Sequence, residues 1–213
     1  RIASVSSYGA ESAVLLHMVA QIDKDVPVIF TNTQKMFGET LAYRDELSER
    51  LGLTDLRVFR PDPRVLALRD ATGMRWSYDP DGCCEIRKVE PLRRALNGKK
   101  AWLTGMRREQ SVTRNELAAQ AWDAVFGLEK FNPLADWSEN DVWSYLREYE
   151  VPYNALYDQG YRSIGCAPCS RPVTAGEDVR AGRWWWELPE SKECGLHVGP
   201  DGRLVRSKEQ VNA

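Results

Sequence analysis

A mostly parallel α/β sheet with helices on both faces is the fold class the sequence predicts, with an irregular C-terminal arm. Two observations carry this expectation. Short apolar runs alternate with stretches of helical period over the first hundred residues, as in a chain of βαβ units. The first of those runs also ends in a hydroxyl-rich turn that opens directly into a helix, SSYGAES at 6–12.

The elements follow in order. Residues 2–6, IASVS, read as a short strand. After the turn, AVLLHMVAQI reads as a helix with Glu11 or Ser12 near its start, broken by DKDVP at 23–27. VIFTNT at 28–33 is a buried strand. Apolar residues at 41, 43, 47 and 51 give a helix over 39–51, with Gly52 as its stop. LRVF at 56–59 is a third strand. Pro61 and Pro63 then punctuate the chain, and a helix runs to about residue 71, ended by Gly73. AWLTG at 101–105 is a strand followed by a basic loop. FNPL adds a strand-like piece, and Ser138-x-x-Asp141 is a capping-box variant that fixes a helix start. Beyond Pro152 the pattern fades. An irregular region surrounds CAPC, and a short helix is expected near RAGRWWWE, 180–187. Residues 198–213 are polar and expected to be a flexible tail. The expected organisation is one domain over 1–197, whose last part, about 172–197, is a redox arm.

Composition narrows the function classes. A length of 213 residues suits one domain at a prior of roughly 150 residues per domain. Hydrophobic residues at 43% and charged residues at 28% exclude a disordered or fibrous chain. The 29 basic and 31 acidic residues leave a net charge of −2, which argues against a nucleic-acid binder. No apolar run approaches the roughly 18 residues of a spanning helix, so no membrane partner is expected. The opening RIASVSS reads as a strand rather than a leader, and Arg1 implies that a segment precedes it. Five cysteines, an odd number, argue against a secreted disulfide scaffold and for a reducing, cytoplasmic home.

In parallel sheets ligands sit beyond the carboxyl ends of the strands. Ser6, Ser7, Gly9, Glu11, Ser12, Thr31 and Thr33 should therefore line one cleft. Hydroxyls and free amides at a helix N-terminus suit a phosphate, and Gly9 gives the turn conformational freedom. An ordinary capped turn explains the same residues about as well. The turn resembles the S-x-G-x-D-S loop of PP-loop nucleotide enzymes, with Tyr8 and Glu11 where that loop has Gly and Asp.

Cysteine placement is the strongest signal. Cys83-Cys84 and Cys166-x-x-Cys169 form two tight pairs able to hold zinc or a four-iron cluster. Adjacent cysteines on a helix point about 100° apart, which suits separate irons better than one tetrahedral ion. Lys88 lies four residues after Cys84 and shares its helical face. Cys194, in KECGLH, is left over, with His197 close enough in sequence to support a thiolate. Basic residues recur at Arg87, Arg107, Arg108, Arg114, Arg171, Arg180 and Arg183. Solvated surface charge explains such residues elsewhere, as at Arg93 and Arg94.

Taken together, SSYGAESAVLLHM, VIFTNTQKMFGET, RKVEPLRRAL, GMRREQSVTR, EKFNPLADWSENDVWSYL and ECGLH resemble the assimilatory adenylyl-sulfate and phosphoadenylyl-sulfate reductases, over residues 4–197. The two cysteine pairs look like the iron–sulfur branch, which prefers adenosine 5′-phosphosulfate (APS). The resemblance implies that Cys194 is the nucleophile, with His197 beside it. It implies a [4Fe-4S] cluster on Cys83, Cys84, Cys166 and Cys169. Lys88, one arginine of the Arg107–Arg108 pair, Arg180 and Arg183 would surround the phosphosulfate. A thioredoxin or glutaredoxin-type dithiol would release sulfite, and a homo-oligomer is possible. The alternatives are a phosphoadenylyl-sulfate or dual-specificity reductase, a PP-loop tRNA-thiolating enzyme, or a non-catalytic cluster-bearing nucleotide sensor.

Overall fold

The computed structural model describes residues 1–111 and 114–187. Cys194, His197 and the 198–213 tail lie outside the described residues.

A six-stranded sheet forms the centre, in the order β3-β2-β1-β4-β6-β5. Its strands are β1 Ile2–Val5, β2 Val28–Thr31, β3 Leu56–Phe59, β4 Ala101–Leu103, β5 Gln120–Asp123 and β6 Leu128–Phe131. Every pairing is parallel except β5 with β6, which is antiparallel. The strand β5 was not anticipated. Its QAWD sequence places the apolar Ala121 and Trp122 side by side rather than alternating, and three of its four residues are exposed, so periodicity gives no signal.

Six α-helices surround the sheet: α1 Ala10–Ile22, α2 Gly38–Leu51, α3 Pro63–Arg69, α4 Pro80–Cys84, α5 Glu90–Leu96 and α6 Glu139–Glu148. Side chains alternate along the strands between two cores. Val28 and Phe30 face α1, α2 and α6, packing with Leu16, Leu47, Val142 and Leu146. Ile29, Ala3 and Trp102 face α5, packing with Leu92, Ala95 and Leu96. Burying each such aliphatic side chain contributes about 1.5–3 kcal/mol, and the alternation fixes the register of every strand. Two boundaries follow from local chemistry as expected. Gly52 ends α2 in the left-handed conformation at φ 65. Ser138 and Asp141 form the capping box of α6.

Arg180–Glu187 contains turns and no helix, which corrects the expectation for RAGRWWWE. The backbone is diverted by a bridge between Ser170 and Arg183 and by Trp184, which is left-handed at φ 39. That turn sends Trp184 inward, 1% exposed, and leaves Trp185 and Trp186 outside. Residues 172–187, the first part of the expected arm, fold onto the body through backbone bonds from Arg171 N–H to Gly182 O and from Val173 N–H to Gly160 O.

Candidate functional site

Strand order reverses between β1 and β4, the position where doubly wound sheets leave a crevice at their carboxyl ends. A cleft of about 1210 Å³ opens there. Ser6, Ser7, Gly9, Glu11 and Ser12 line it from the β1–α1 turn, Thr31 and Thr33 from the end of β2, and Lys88, Arg180 and Arg183 from the far wall.

The β1–α1 turn is ordered by its own hydroxyls. Ser6 Oγ accepts the Tyr8 N–H at 3.1 Å, and Ser12 Oγ accepts the Ser7 N–H at 3.3 Å. The conformational burden falls on Tyr8 rather than Gly9. Tyr8 is left-handed at φ 56, whereas Gly9 is extended as the N-cap of α1. The Tyr8 ring is fully buried edge-on to Phe30, and its hydroxyl is 2.9 Å from Ser48 Oγ. Packing therefore holds a backbone state that a non-glycine residue disfavours. Gly9 is needed for space instead, because a Cβ there would stand 3.3 Å from the Tyr157 hydroxyl. That hydroxyl accepts the Ala10 N–H at 2.8 Å, occupying one of the free amides of α1.

The two arginines at 107 and 108 differ from expectation. Arg107 is 2% exposed in its side chain, and its guanidinium is committed to Glu11 at 3.0 Å and Glu109 at 2.9 Å. It also donates to Trp137 O at 3.0 Å, and it lines a neighbouring cavity rather than the cleft. Arg108 pairs with Asp136 and donates to Leu117 O. Glu11, which lines both the cleft and the neighbouring cavity, is thereby neutralised by Arg107. The cleft is instead lined by Arg114 and Arg162, together with Gln110 and Tyr157. Arg114 stands at the end of the basic GMRREQSVTR loop, so its composition pointed there. Arg162 carried no sequence signal. It pairs with Glu139 at the start of α6 and arrives at the cleft only through tertiary packing.

Behind the cleft lies a second, tightly closed cavity lined by Cys83, Cys84, Cys166 and Cys169 with Arg87, Lys88 and Trp184. The four cysteines are buried and form no disulfide. Cys83 and Cys84 end α4, and Lys88 follows on a π-helical turn, Glu85–Val89. Lys88 lines both cavities, and its Nζ stands 5.7 Å from the Trp184 ring centroid. Arg183 is stacked 4.4 Å from the same ring. Burial pushes the Cys169 thiol up to about 11, helped by the Cys166 sulfur and opposed by Lys88 and Arg183. Burial likewise raises the Cys83 thiol, again with Cys166 contributing. Burial thus disfavours the thiolate at Cys83 and Cys169, and positive charge entering among the sulfurs would favour it, as a multi-iron centre held there would supply. Among the described residues, no three His, Cys, Asp or Glu side chains converge so as to hold a single metal ion.

The fold and cleft define a doubly wound α/β protein of the PP-loop-like, nucleotide-binding class. Within that class, residues 1–172 match the phosphoadenosine phosphosulfate reductase domain, and the chain belongs to that family. It is 49% identical over 201 residues to adenosine 5′-phosphosulfate reductase of Allochromatium vinosum, covering 92% of this chain and 78% of that protein. It is 47% identical over 205 residues to the enzyme of the same name from Burkholderia cepacia, covering 93% and 81%. Among solved structures it resembles phosphoadenylyl-sulfate reductase from Candida auris in a phosphate complex. That likeness has a TM-score of 0.68 and 29% identity, over 81% of this chain and 83% of that one.

Proposed function

We propose that the protein reduces adenosine 5′-phosphosulfate to sulfite and AMP in sulfate assimilation, with a protein dithiol as reductant. The observation that carries this reading is the adjacency of two cavities across Lys88: a cation-lined cleft at the sheet switch point and a four-thiol cavity behind it. Membership in a reductase family, and relatives named for this reaction, support the same conclusion.

The chemistry assigns each residue a task. Sulfate is a poor electrophile because its negative oxygens repel a thiolate, so cations must mask them in the transition state. Lys88, Arg180 and Arg183 supply that charge, Arg183 from a side chain held by Trp184 and by Ile164 O. The Ser6–Ser12 turn and Thr31 to Thr33 hold the nucleotide. Cys194, with His197 beside it in sequence, attacks the sulfur. A sulfur–sulfur bond forms, the sulfur–oxygen bond to phosphate breaks, and AMP leaves with the electron pair. The dithiol then attacks the Cys194 sulfur, sulfite leaves with its pair, and the second thiol resolves the mixed disulfide. Cys83, Cys84, Cys166 and Cys169 would hold a [4Fe-4S] cluster, whose charge tunes the Lys88 environment.

Mass spectrometry tests the central step. With APS present and reductant withheld, the Cys194 peptide should gain about 80 daltons, one SO₃ unit. Cys194→Ser should bind APS and yield no sulfite; sulfite from that variant would overturn the assignment. Anaerobically prepared protein should be brown and contain iron and sulfide, whereas colourless protein holding one zinc would remove the cluster. A second reading, phosphoadenylyl sulfate as substrate, is favoured by the Candida auris likeness and by the additional cations Arg114 and Arg162 in the cleft. Comparing kcat/KM for the two nucleotides decides between them, with APS expected to be preferred.

A further inference from the structure

We infer that Asp70 is a positioning residue whose buried carboxylate sets the spacing between the Cys83–Cys84 pair and the Cys166–Cys169 pair. The inference rests on the reading of these thiols as cluster ligands, but the geometry stands without it.

Asp70 lies just past α3, ahead of the tandem pair and far in sequence from the Cys166–Cys169 pair, and its side chain is fully buried. Two chains of contacts leave its carboxylate. One runs to Cys166. Asp70 Oδ2 accepts from Arg87 Nε at 3.0 Å and Nη2 at 2.6 Å. Arg87 Nη1 donates to Thr33 O at 2.8 Å, and Thr33 Oγ1 is 3.2 Å from Cys166 Sγ. The other runs to the tandem pair. Asp70 Oδ1 accepts the Arg75 N–H at 2.9 Å. Arg75 Nη2 donates to Asp79 Oδ2 at 2.6 Å, and Asp79 Oδ1 accepts the Gly82 N–H at 2.9 Å. That last bond caps α4 one residue before Cys83.

Gly82 shows how tightly the second chain is drawn, because any Cβ there would overlap Asp79 and Arg75. The loop after β2 closes the assembly from the other side. Lys35 O accepts the Ala167 N–H at 2.7 Å, and Met36 bridges Cys166. One carboxylate thus receives a guanidinium that reaches the CAPC side and a backbone amide whose own side chain reaches the tandem side. Two guanidinium N–H groups converging on Asp70 Oδ2, with Oδ1 held by the Arg75 N–H, fix orientation as well as distance. Neutralising Asp70 leaves Arg87 buried and unpaired, so its fork has no reason to keep its aim at Thr33 O. Both thiol pairs are then free to move relative to each other.

The test compares Asp70→Asn with Leu47→Ala, a cavity-forming substitution in the core on the α1–α2 side of the sheet, a cluster that contains none of the thiols. Protein is purified anaerobically. Iron release to a chelator and thiol reaction with an aromatic disulfide reagent are followed side by side, each variant held equally far below its own unfolding midpoint. Asp70→Asn should release iron and expose thiols at least tenfold faster than wild type. Leu47→Ala, although less stable overall, should match wild type. Equal rates for Asp70→Asn and Leu47→Ala would overturn the assignment. Should Asp70→Asn fail to accumulate as folded protein, Asp70→Glu keeps the charge and displaces it, with at least a threefold acceleration expected and none overturning the proposal. If wild-type protein contains no iron or sulfide, the cluster reading fails, and the thiol reaction alone then decides for or against Asp70.

Discussion

Arg107 shows how a single side chain can look like a ligand-binding group in sequence and be a strut in the structure. A basic pair in a loop after a strand invites an anion, but Arg107 is buried and shared between Glu11 and Glu109. Glu109 in turn accepts the Glu139 N–H, so one guanidinium ties the start of α1 to the start of α6. Arg107→Met should cost about 1.5–3 kcal/mol, the range for a hydrogen bond to a charged group, because Glu11 and Glu109 keep access to solvent, measured as a shift in urea unfolding. A loss of substrate affinity with unchanged stability would refute that role. Glu177 gives a separate test. The hydrogen bond from Arg171 and that from the Thr174 N–H hold its carboxyl at about 2, against an ordinary 4.5. Because the folded value is depressed, its support for the 171–177 turn is present above about pH 4.5 and fades as pH falls toward 2. Carboxyl NMR titration should find this residue still ionised at pH 3.5 in the folded protein. Thiols, hydroxyls and the glycine stop at Gly52 were legible residue by residue, because their chemistry is local. Glu11 capturing Arg107 was not, since the two are 96 positions apart.

At the scale of elements, α1, α2 and α6 and the first two strands read well because each buries apolar residues with a regular period, whereas α5 between Glu90 and Leu96 was not anticipated. Legibility failed where period and burial part company. Strand β5 is an exposed edge, and 180–187 is shaped by a bridge to Ser170 rather than by its own propensity. The capping box of α6 is the element best specified by its sequence. Ser138 Oγ accepts the Asp141 N–H at 3.1 Å, and Asp141 Oδ2 accepts the Ser138 N–H at 2.8 Å. The Ser138 hydroxyl, which donates to Asp141 Oδ2 at 2.7 Å, and the Ser138 N–H together hold the Asp141 carboxyl below the usual range. Ser138→Ala should therefore destabilise the protein by about 1 kcal/mol. Because α6 also carries Glu139, the partner of Arg162, the cleft wall should loosen with it. Hydrogen exchange in the first turn of α6 would report both effects.

Across the whole molecule, strand order places the cleft where the β1–α1 and β4 loops diverge, and the family's segments converge there from distant parts of the chain. A nucleotide that binds only the folded state raises stability by about 2.7 kcal/mol at a hundredfold excess over its Kd. AMP should accordingly raise Tm, and Arg183→Ala, itself less stable because Arg183 is buried against Trp184, should show a smaller rise above its own unliganded Tm; an equal rise in both proteins would place the nucleotide elsewhere. The chain from Pro80 to Leu96 has one more consequence. Its two α-helical ends are joined by the π-helical turn carrying Lys88, where bonding steps from i+4 to i+5. That turn acts as a phase shifter: it lets the thiol-bearing end rotate about the axis without disturbing how Leu92 and Leu96 mesh with the sheet. Deleting one residue between Glu85 and Val89 would rewind the rod into uniform pitch. Either the ammonium group or the sulfur pair would then face the wrong chamber, although every side chain named above would still be present.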